Sequence, residues 1–338
     1  MEGNGPGLRK HRLLHNSLHW TAQLRAVLVT MFLASSLQMA WSQSCSITAA
    51  NGSYGAVDIL SGAVDDTTAT FSINCTGIIN QTVRLCVELS PGQTNSAGNR
   101  RLASGANRLV HELYSDASRT VIWGSWGLAT TPYGLYPIGT TYDLNLNVIG
   151  SGNATLTVYG RVAANQTTAG PGSYGWTMTT APAAAYDYKT AAACPTGTRQ
   201  ATSSGSTWTA TINANCNVSA TNVNFGSVGV LASDVDSTGS VAVRCTNSTP
   251  YTVGLSAGTG SGATVANRKM TSGTKTVTYS LYSDSGRTTV WGNTTGTDTA
   301  SGTGTGLDQA YTVYARAPAQ ATPAPATYAD TVVVTVTY

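Results

Sequence analysis

Residues 203–216 read SSGSTWTATINANC. Trp208, Ala210, Ile212 and Ala214 alternate with Thr207, Thr209, Thr211 and Asn213, the period of two that marks a β-strand with one buried face. A slack linker carries no such alternation, so the segment is expected to enter a sheet. Its position makes that reading decisive, because it lies between two copies of one sequence. NRRL at 99–102 matches NRKM at 267–270, and YSDASRTVIWG at 114–124 matches YSDSGRTTVWG at 282–292, both with a shift of 168 positions (267 − 99). VYGRV at 158–162 matches VYARA at 313–317, Tyr174 opens a strand much as Tyr328 does, and Cys45 and Cys75 match Cys216 and Cys245. Two related domains stand in tandem, with a strand-like segment between them.

The repeat also sorts the six cysteines, for which many pairings are open in an exported chain. Cys45 with Cys75 and Cys216 with Cys245 are the equivalent bridges, and the remaining Cys86 and Cys194 pair inside the first domain. Each is expected to contribute about 2–4 kcal/mol by restricting the unfolded chain. A metal site is not expected, since no CxxC occurs and the spacings are wide.

Residues 1–42 read as a signal peptide: Arg9, Lys10, Arg12 and Arg25 precede the apolar run AVLVTMFLASSLQMA at 26–40, and the small-residue site Ala40-Trp41-Ser42 follows. The chain is therefore expected to be exported, with domains at 43–213 and 214–338. The leader holds four of 18 basic residues and one of 15 acidic ones, so the remainder is neutral (18 − 4 = 14; 15 − 1 = 14). Nucleic acid is not an expected partner, because it requires clustered Lys and Arg. Charged residues are 10% of the chain, against roughly 25% in ordinary domains, and Thr, Ser, Asn and Gly take their place. Thr suits a pleated surface and Gly suits tight turns. An all-β fold follows.

The Cys-initiated strand, FGSVGV at 225–230, the NRKM and YSDSGRTTVWG blocks and the closing YADTVVVTVTY at 328–338 resemble the spore coat protein U domain, a family whose members include pilins of archaic chaperone-usher pili. The second domain matches along its length. The first keeps the cysteines, the NRRL and YSD blocks and VYGRV, but has SYGAVDI at 53–59 in place of FGSVGV. The resemblance implies two tandem immunoglobulin-like β-sandwiches, the second lacking its final strand. In such pilins the gap is filled first by a periplasmic chaperone and then by the N-terminal extension of a neighbouring subunit.

In the second domain the sequence stops at TVVVTVTY, and Val332, Val334, Val336 and Tyr338 share one strand face that is expected to line an open donor-strand acceptor. In the first, SYGWTMTT at 173–180 is followed by enough chain to return, and Trp208, Ala210, Ile212 and Ala214 are expected to supply the missing strand in cis. Only Gln43 and Ser44 precede Cys45 after the leader, so no donor extension is expected. A subunit that accepts a strand and gives none belongs at the end of a polymer. The implied function is a pilus-tip adhesin at the cell surface. Its implied partners are a periplasmic chaperone, an outer-membrane usher, the next pilin subunit and a biotic or abiotic surface, and the alternative is a structural coat protein without a receptor.

The tip reading gives meaning to residues 124–142, GSWGLATTPYGLYPIGTTY. Trp126, Leu128, Tyr133, Leu135, Tyr136 and Ile138 stand there, whereas the second copy carries Thr, Gly, Asn and Asp at the matching place. These six are the candidate surface-binding residues; the competing reading is a loop folded back over its own sandwich. Trp176 is expected in the core and Tyr174 in a structural role. No enzyme or cofactor is expected. GLSAG at 254–258 fits the nucleophile-elbow pattern around Ser256, but no His follows it, and VELSPG at 87–92 holds the same place in the first copy. Asp65, Asp66, Asp234 and Asp236 are read as turn residues before strands, and the SD-R-WG block as a turn that packs Trp123 or Trp291.

Overall fold

The computed structural model describes residues 43–89, 99–124, 140–178, 183–188, 199–203 and 205–338. Among them every regular element is a β-strand. The first sandwich contains β1 (Ser44–Ala49), β2 (Gly52–Ala56), β3 (Asp65–Thr76), β4 (Thr82–Glu88), β5 (Arg101–Ser104), β6 (Asn107–Tyr114), β7 (Thr140–Asn145), β8 (Ser151–Val162), β9 (Gly172–Met178), β10 (Ala183–Tyr188), β11 (Arg199–Gln200), β12 (Thr202–Ser203) and β13 (Ser206–Ile212). The second contains β14 (Cys216–Thr221), β15 (Val235–Cys245), β16 (Pro250–Leu255), β17 (Arg268–Ser272), β18 (Lys275–Tyr282), β19 (Ala300–Thr303), β20 (Gln309–Ala317) and β21 (Val334–Thr337).

Side-chain alternation builds both layers. Along β3, Ala69, Phe71, Ile73 and Cys75 are buried while Thr68, Thr70, Ser72 and Asn74 are exposed, so a Thr-rich strand presents one apolar face to a core and one hydroxyl face to water. In the first sandwich a long sheet runs β12-β1-β3-β8-β6-β5-β9-β13-β2 and packs against β11-β10-β4-β7. In the second the order is β14-β15-β20-β18-β17 over β19-β16-β21. These are immunoglobulin-like sandwiches, and they differ in the strands that close the long sheet.

Bridges Cys45–Cys75 and Cys216–Cys245 staple the first strand of each sandwich to its neighbour. Cys86 is also disulfide-bonded, and its expected partner Cys194 lies outside the described residues. The SD-R-WG blocks are matching turns. Asp116 accepts from Thr120 N and Val121 N at 3.0 and 2.7 Å, and Asp284 from Thr288 N and Thr289 N at 3.0 and 2.6 Å. Trp123 and Trp291 are buried and donate through Nε1 to Val87 O and Val253 O. Of the aspartates read as turn residues before strands, Asp234 does precede β15 and accepts from Ala319 N, and Asp65 opens β3, but Asp66 and Asp236 lie inside β3 and β15, and each is gripped at 2.7 Å by an arginine of the adjacent strand, Arg161 or Arg316.

Beneath each Trp turn lies a fully buried arginine. Arg268 donates to the carbonyls of Leu255, Ser256, Val265 and Trp291 at 2.7–2.9 Å. Arg100 donates to Leu89 O and Trp123 O, and it also pairs with the buried Glu112. Guanidinium donors satisfy carbonyls that the bend between layers leaves without strand partners. Replacing Arg100 with Met strands the Glu112 carboxylate in the interior, and the expected cost to the first sandwich is about 3–5 kcal/mol. Adding Glu112→Gln is expected to recover part of that loss. A denaturant-unfolding double-mutant cycle checks this, and additive effects with no coupling would contradict the pairing.

Candidate functional site

The two sandwiches diverge where β13 lies. It is inserted antiparallel to β9, with Ser206 opposite Met178, Trp208 opposite Trp176 and Ile212 opposite Gly172, and parallel to β2, with Trp208 opposite Gly52. The first strand of the sandwich makes this possible by changing partner: β1 pairs with β3, and after Asn51 the chain crosses so that β2 pairs with β13. Ser206, Trp208, Ala210 and Ile212 face inward and are buried, and Ser206 Oγ bonds to Ala50 O at 2.8 Å. Ala214 does not continue the closing strand. The ladder ends at Ile212, and Ala214 is exposed in a turn held by Asn215 N to Thr246 Oγ1 at 2.8 Å and Thr246 N to Asn215 O at 2.9 Å.

The second sandwich has both walls of this arrangement, and among the described residues no strand lies between them. Residues 223–227 correspond to β2: Gly226 has a positive φ of 73° as Gly55 has 68°, and Asn224 accepts from Gly226 N as Ser53 accepts from Gly55 N. The counterpart of β9 begins at Tyr328, whose hydroxyl bonds to Ala324 O at 2.7 Å as that of Tyr174 bonds to Gly170 O. Ala329 is tied to Thr271 by an isolated bridge, the equivalent of Ala103 with Gly175. Neither wall forms a regular strand there. Between them runs a groove of about 490 Å³ lined by Val223, Phe225, Met270, Tyr279, Val332 and Val334 among others. It continues, past Val223, Phe225, Met270 and Tyr328, into a second hollow of about 700 Å³ lined by Val228, Leu231 and Val277.

Exposure records what the missing neighbour does. Val57 and Ile59 are 7% and 6% exposed in the first sandwich, where Val57 N donates to Thr211 O of β13 at 2.8 Å. Their counterparts Val228 and Val230 are 42% and 71% exposed. An apolar floor bordered by walls without a ladder partner leaves backbone groups and apolar surface of the kind that an added strand covers in β-augmentation.

Of the residues expected to line it, Val332 and Val334 do. Val336 packs on the core from β21, opposite Val253 of β16. Tyr338 is not on the groove; it is 56% exposed and its hydroxyl reaches Asn215 at 3.4 Å, because the chain has turned into the smaller sheet. Sequence reading missed Val223, Phe225, Met270 and Tyr279, although Val223 and Phe225 alternate with Asn222 and Asn224 in the manner of a half-buried strand. Trp126, Leu128, Tyr133, Leu135, Tyr136 and Ile138 lie outside the described residues. Tyr174 is buried, and Trp176 packs half-buried on the core. Ser256 is a clasp: its Oγ accepts from Val333 N at 2.9 Å, fixing the strand that borders the groove.

The Spore Coat Protein U domain matches this chain twice, over residues 30–181 and 202–335. The chain belongs to the spore coat protein U domain family. Among its relatives is Protein U of Myxococcus xanthus, 35% identical over 128 residues, which are 34% of this chain and 71% of that protein. Among solved structures, the chaperone–tip adhesion subunit pre-assembly complex of archaic Csu pili from Acinetobacter baumannii aligns over 87% of this chain and 100% of that one, with 20% identity and a TM-score of 0.49. The CupB6 tip adhesin from Pseudomonas aeruginosa aligns over 87% and 94%, with 12% identity and a TM-score of 0.35.

Beneath the inserted β13, His111 is buried with its ring against Tyr54, Trp176 and Trp208, and Tyr54 Oη lies 3.2 Å from its Nδ1. Burial, with a smaller contribution from the Arg100 charge, lowers its pKa to about 3. Below its ordinary value of 6.5 the unfolded chain takes up a proton that the folded chain refuses. This contribution to first-sandwich stability is therefore whole above pH 6.5 and falls away between 6.5 and about 3, by up to about 1.4 kcal/mol per pH unit. Tyr279 takes the place of His111 in the second sandwich. Thermal unfolding at pH 7 and pH 4.5 is expected to show a smaller acid loss in His111→Gln than in the unaltered chain, and equal slopes would contradict the linkage.

Proposed function

We propose that this chain is the terminal subunit of a chaperone-usher pilus, a tip adhesin whose second domain joins the fibre by accepting a donor strand and whose first domain meets a surface. The observation that carries the reading is that β13 of the same chain occupies in the first sandwich the place that is an open groove in the second. The second family match begins at residue 202 and so includes β13. In sequence, then, β13 is the leading segment of the second domain, the segment that a pilin of this family hands to a neighbour. Here it is built into its own chain. The second domain keeps the capacity to receive a strand and has no leading strand of that kind to pass on, which is the condition for ending a linear polymer.

The partners follow from the groove. A periplasmic chaperone covers the apolar floor before assembly, an outer-membrane usher receives the complex, and the next pilin supplies the permanent strand. The subunit then stands at the cell surface, at the pilus tip. Surface contact is assigned to Trp126, Leu128, Tyr133, Leu135, Tyr136 and Ile138, since burying each large apolar side chain contributes about 1.5–3 kcal/mol. Pili assembled with Trp126, Tyr133 and Tyr136 changed to Ser are expected to match the unaltered ones in number and length while losing attachment at least about tenfold, the equivalent of only 1.4 kcal/mol. Undiminished attachment would leave a structural coat subunit without a receptor.

A further inference from the structure

The two grooves differ in the size of the side chain they admit. In the first sandwich Trp208 is fully buried at the centre of β13, and two glycines give it room. A β-carbon on Gly52 would overlap the six-membered ring of the indole, and one on Gly160 would fall 2.6 Å from Trp208 Cζ3 and 2.5 Å from Tyr54 Oη. Both approaches are closer than side-chain carbons tolerate.

Neither glycine is kept in the second sandwich. The position of Gly52 is taken by Val223, which borders the groove, and the position of Gly160, in VYGRV, is taken by Ala315 of VYARA. The exchange is compensated locally. Val223 is seated against Gly239, where a β-carbon would lie 2.9 Å from Val223 Cγ2, and the first sandwich has Ala69 at the place of Gly239. Phe225, lacking the hydroxyl of Tyr54, leaves space for the Ala315 methyl. Across the groove, Trp176, which flanks Trp208, is replaced by Asp330, whose carboxylate accepts from Tyr279 Oη at 2.8 Å and Thr259 N at 2.7 Å. An indole laid there would clash with Val223 and cover a charged group.

We infer that the groove of the second domain discriminates by size against the strand that closes the first, and takes a donor with a medium aliphatic side chain where Trp208 stands. This rests on the acceptor reading above and adds a consequence to it: a second copy of this chain cannot extend the fibre through its own β13. The donor comes from a different polypeptide. Val223, which lines the groove, is the specificity-determining residue.

The test uses the full chain after leader removal and two synthetic peptides of residues 203–214, one with the natural sequence and one with Trp208→Val, each carrying a photoreactive end. Cross-linking and mass spectrometry place bound peptide at residues 223–230, and titration gives the affinities. The Val peptide is expected to bind there at least about tenfold more tightly than the natural one, and Val223→Gly in the protein is expected to narrow that difference. Natural peptide binding as tightly as the Val form would overturn the size filter while leaving the acceptor reading intact. Failure of both peptides to bind would remove the acceptor reading itself. Should Val223→Gly not fold, the comparison of the two peptides on the unaltered protein decides the question alone.

Discussion

An extended backbone needs hydrogen-bonded neighbours, and that requirement organises this molecule. β13 supplies two ladders at once, one to β9 and one to β2. Where it is present, both neighbours are regular strands. Where its counterpart is absent, residues 223–227 and 326–332 follow related courses with matching glycine and tyrosine contacts, yet neither is a strand there. Strand character in this part of the fold thus comes from the pairing more than from the local sequence. One seven-residue segment converts a pair of loops into the closing edge of a sheet.

The period-two alternation of Trp208, Ala210 and Ile212 announced a buried strand because each of these faces a core, and the repeat carried enough information to pair Cys45 with Cys75 and Cys216 with Cys245. Ala214 continued the alternation on paper but not in space. What ends the strand is Thr246, distant in sequence, whose hydroxyl and amide capture the backbone of Asn215. Asp66 and Asp236 escaped for the same reason, since their partners Arg161 and Arg316 lie one strand away in the sheet and 95 and 80 residues away in the chain. The groove residues were the least legible. Phe225, Met270 and Tyr279 would be ordinary core residues if the closing strand were there, and nothing in their own neighbourhoods says that it is not.

His111 illustrates how far the two copies have separated inside one frame. Its ring stands among Tyr54, Trp176 and Trp208, an aromatic cluster completed by the indole that β13 delivers. At the same places the second sandwich has Tyr279, Phe225 and Asp330, and Tyr279 turns its hydroxyl to the aspartate while Phe225 keeps the edge contact with a centroid separation of 6.0 Å. The first set forms an interior covered by β13; the second forms a floor with a polar rim.

An open groove is useful only if it keeps its shape while empty, and the features that hold this one do not involve the missing strand. Arg268 ties four carbonyls between the layers, Trp291 is anchored to Val253 O, the Cys216–Cys245 bridge fixes β14 to β15, and Ser256 and Asp330 hold the chain on either side of Val332. The walls are therefore positioned without a partner, so a donor strand of the kind proposed above would gain apolar burial and backbone bonds with little further cost of ordering the receptor. The same reasoning explains why exposed Val228 and Val230 persist. Collapse over them would require breaking polar anchors that are already satisfied, and buried polar groups are costly to orphan. The second sandwich is held in shape by its hydrogen bonds, although no strand of its own closes it as β13 closes the first.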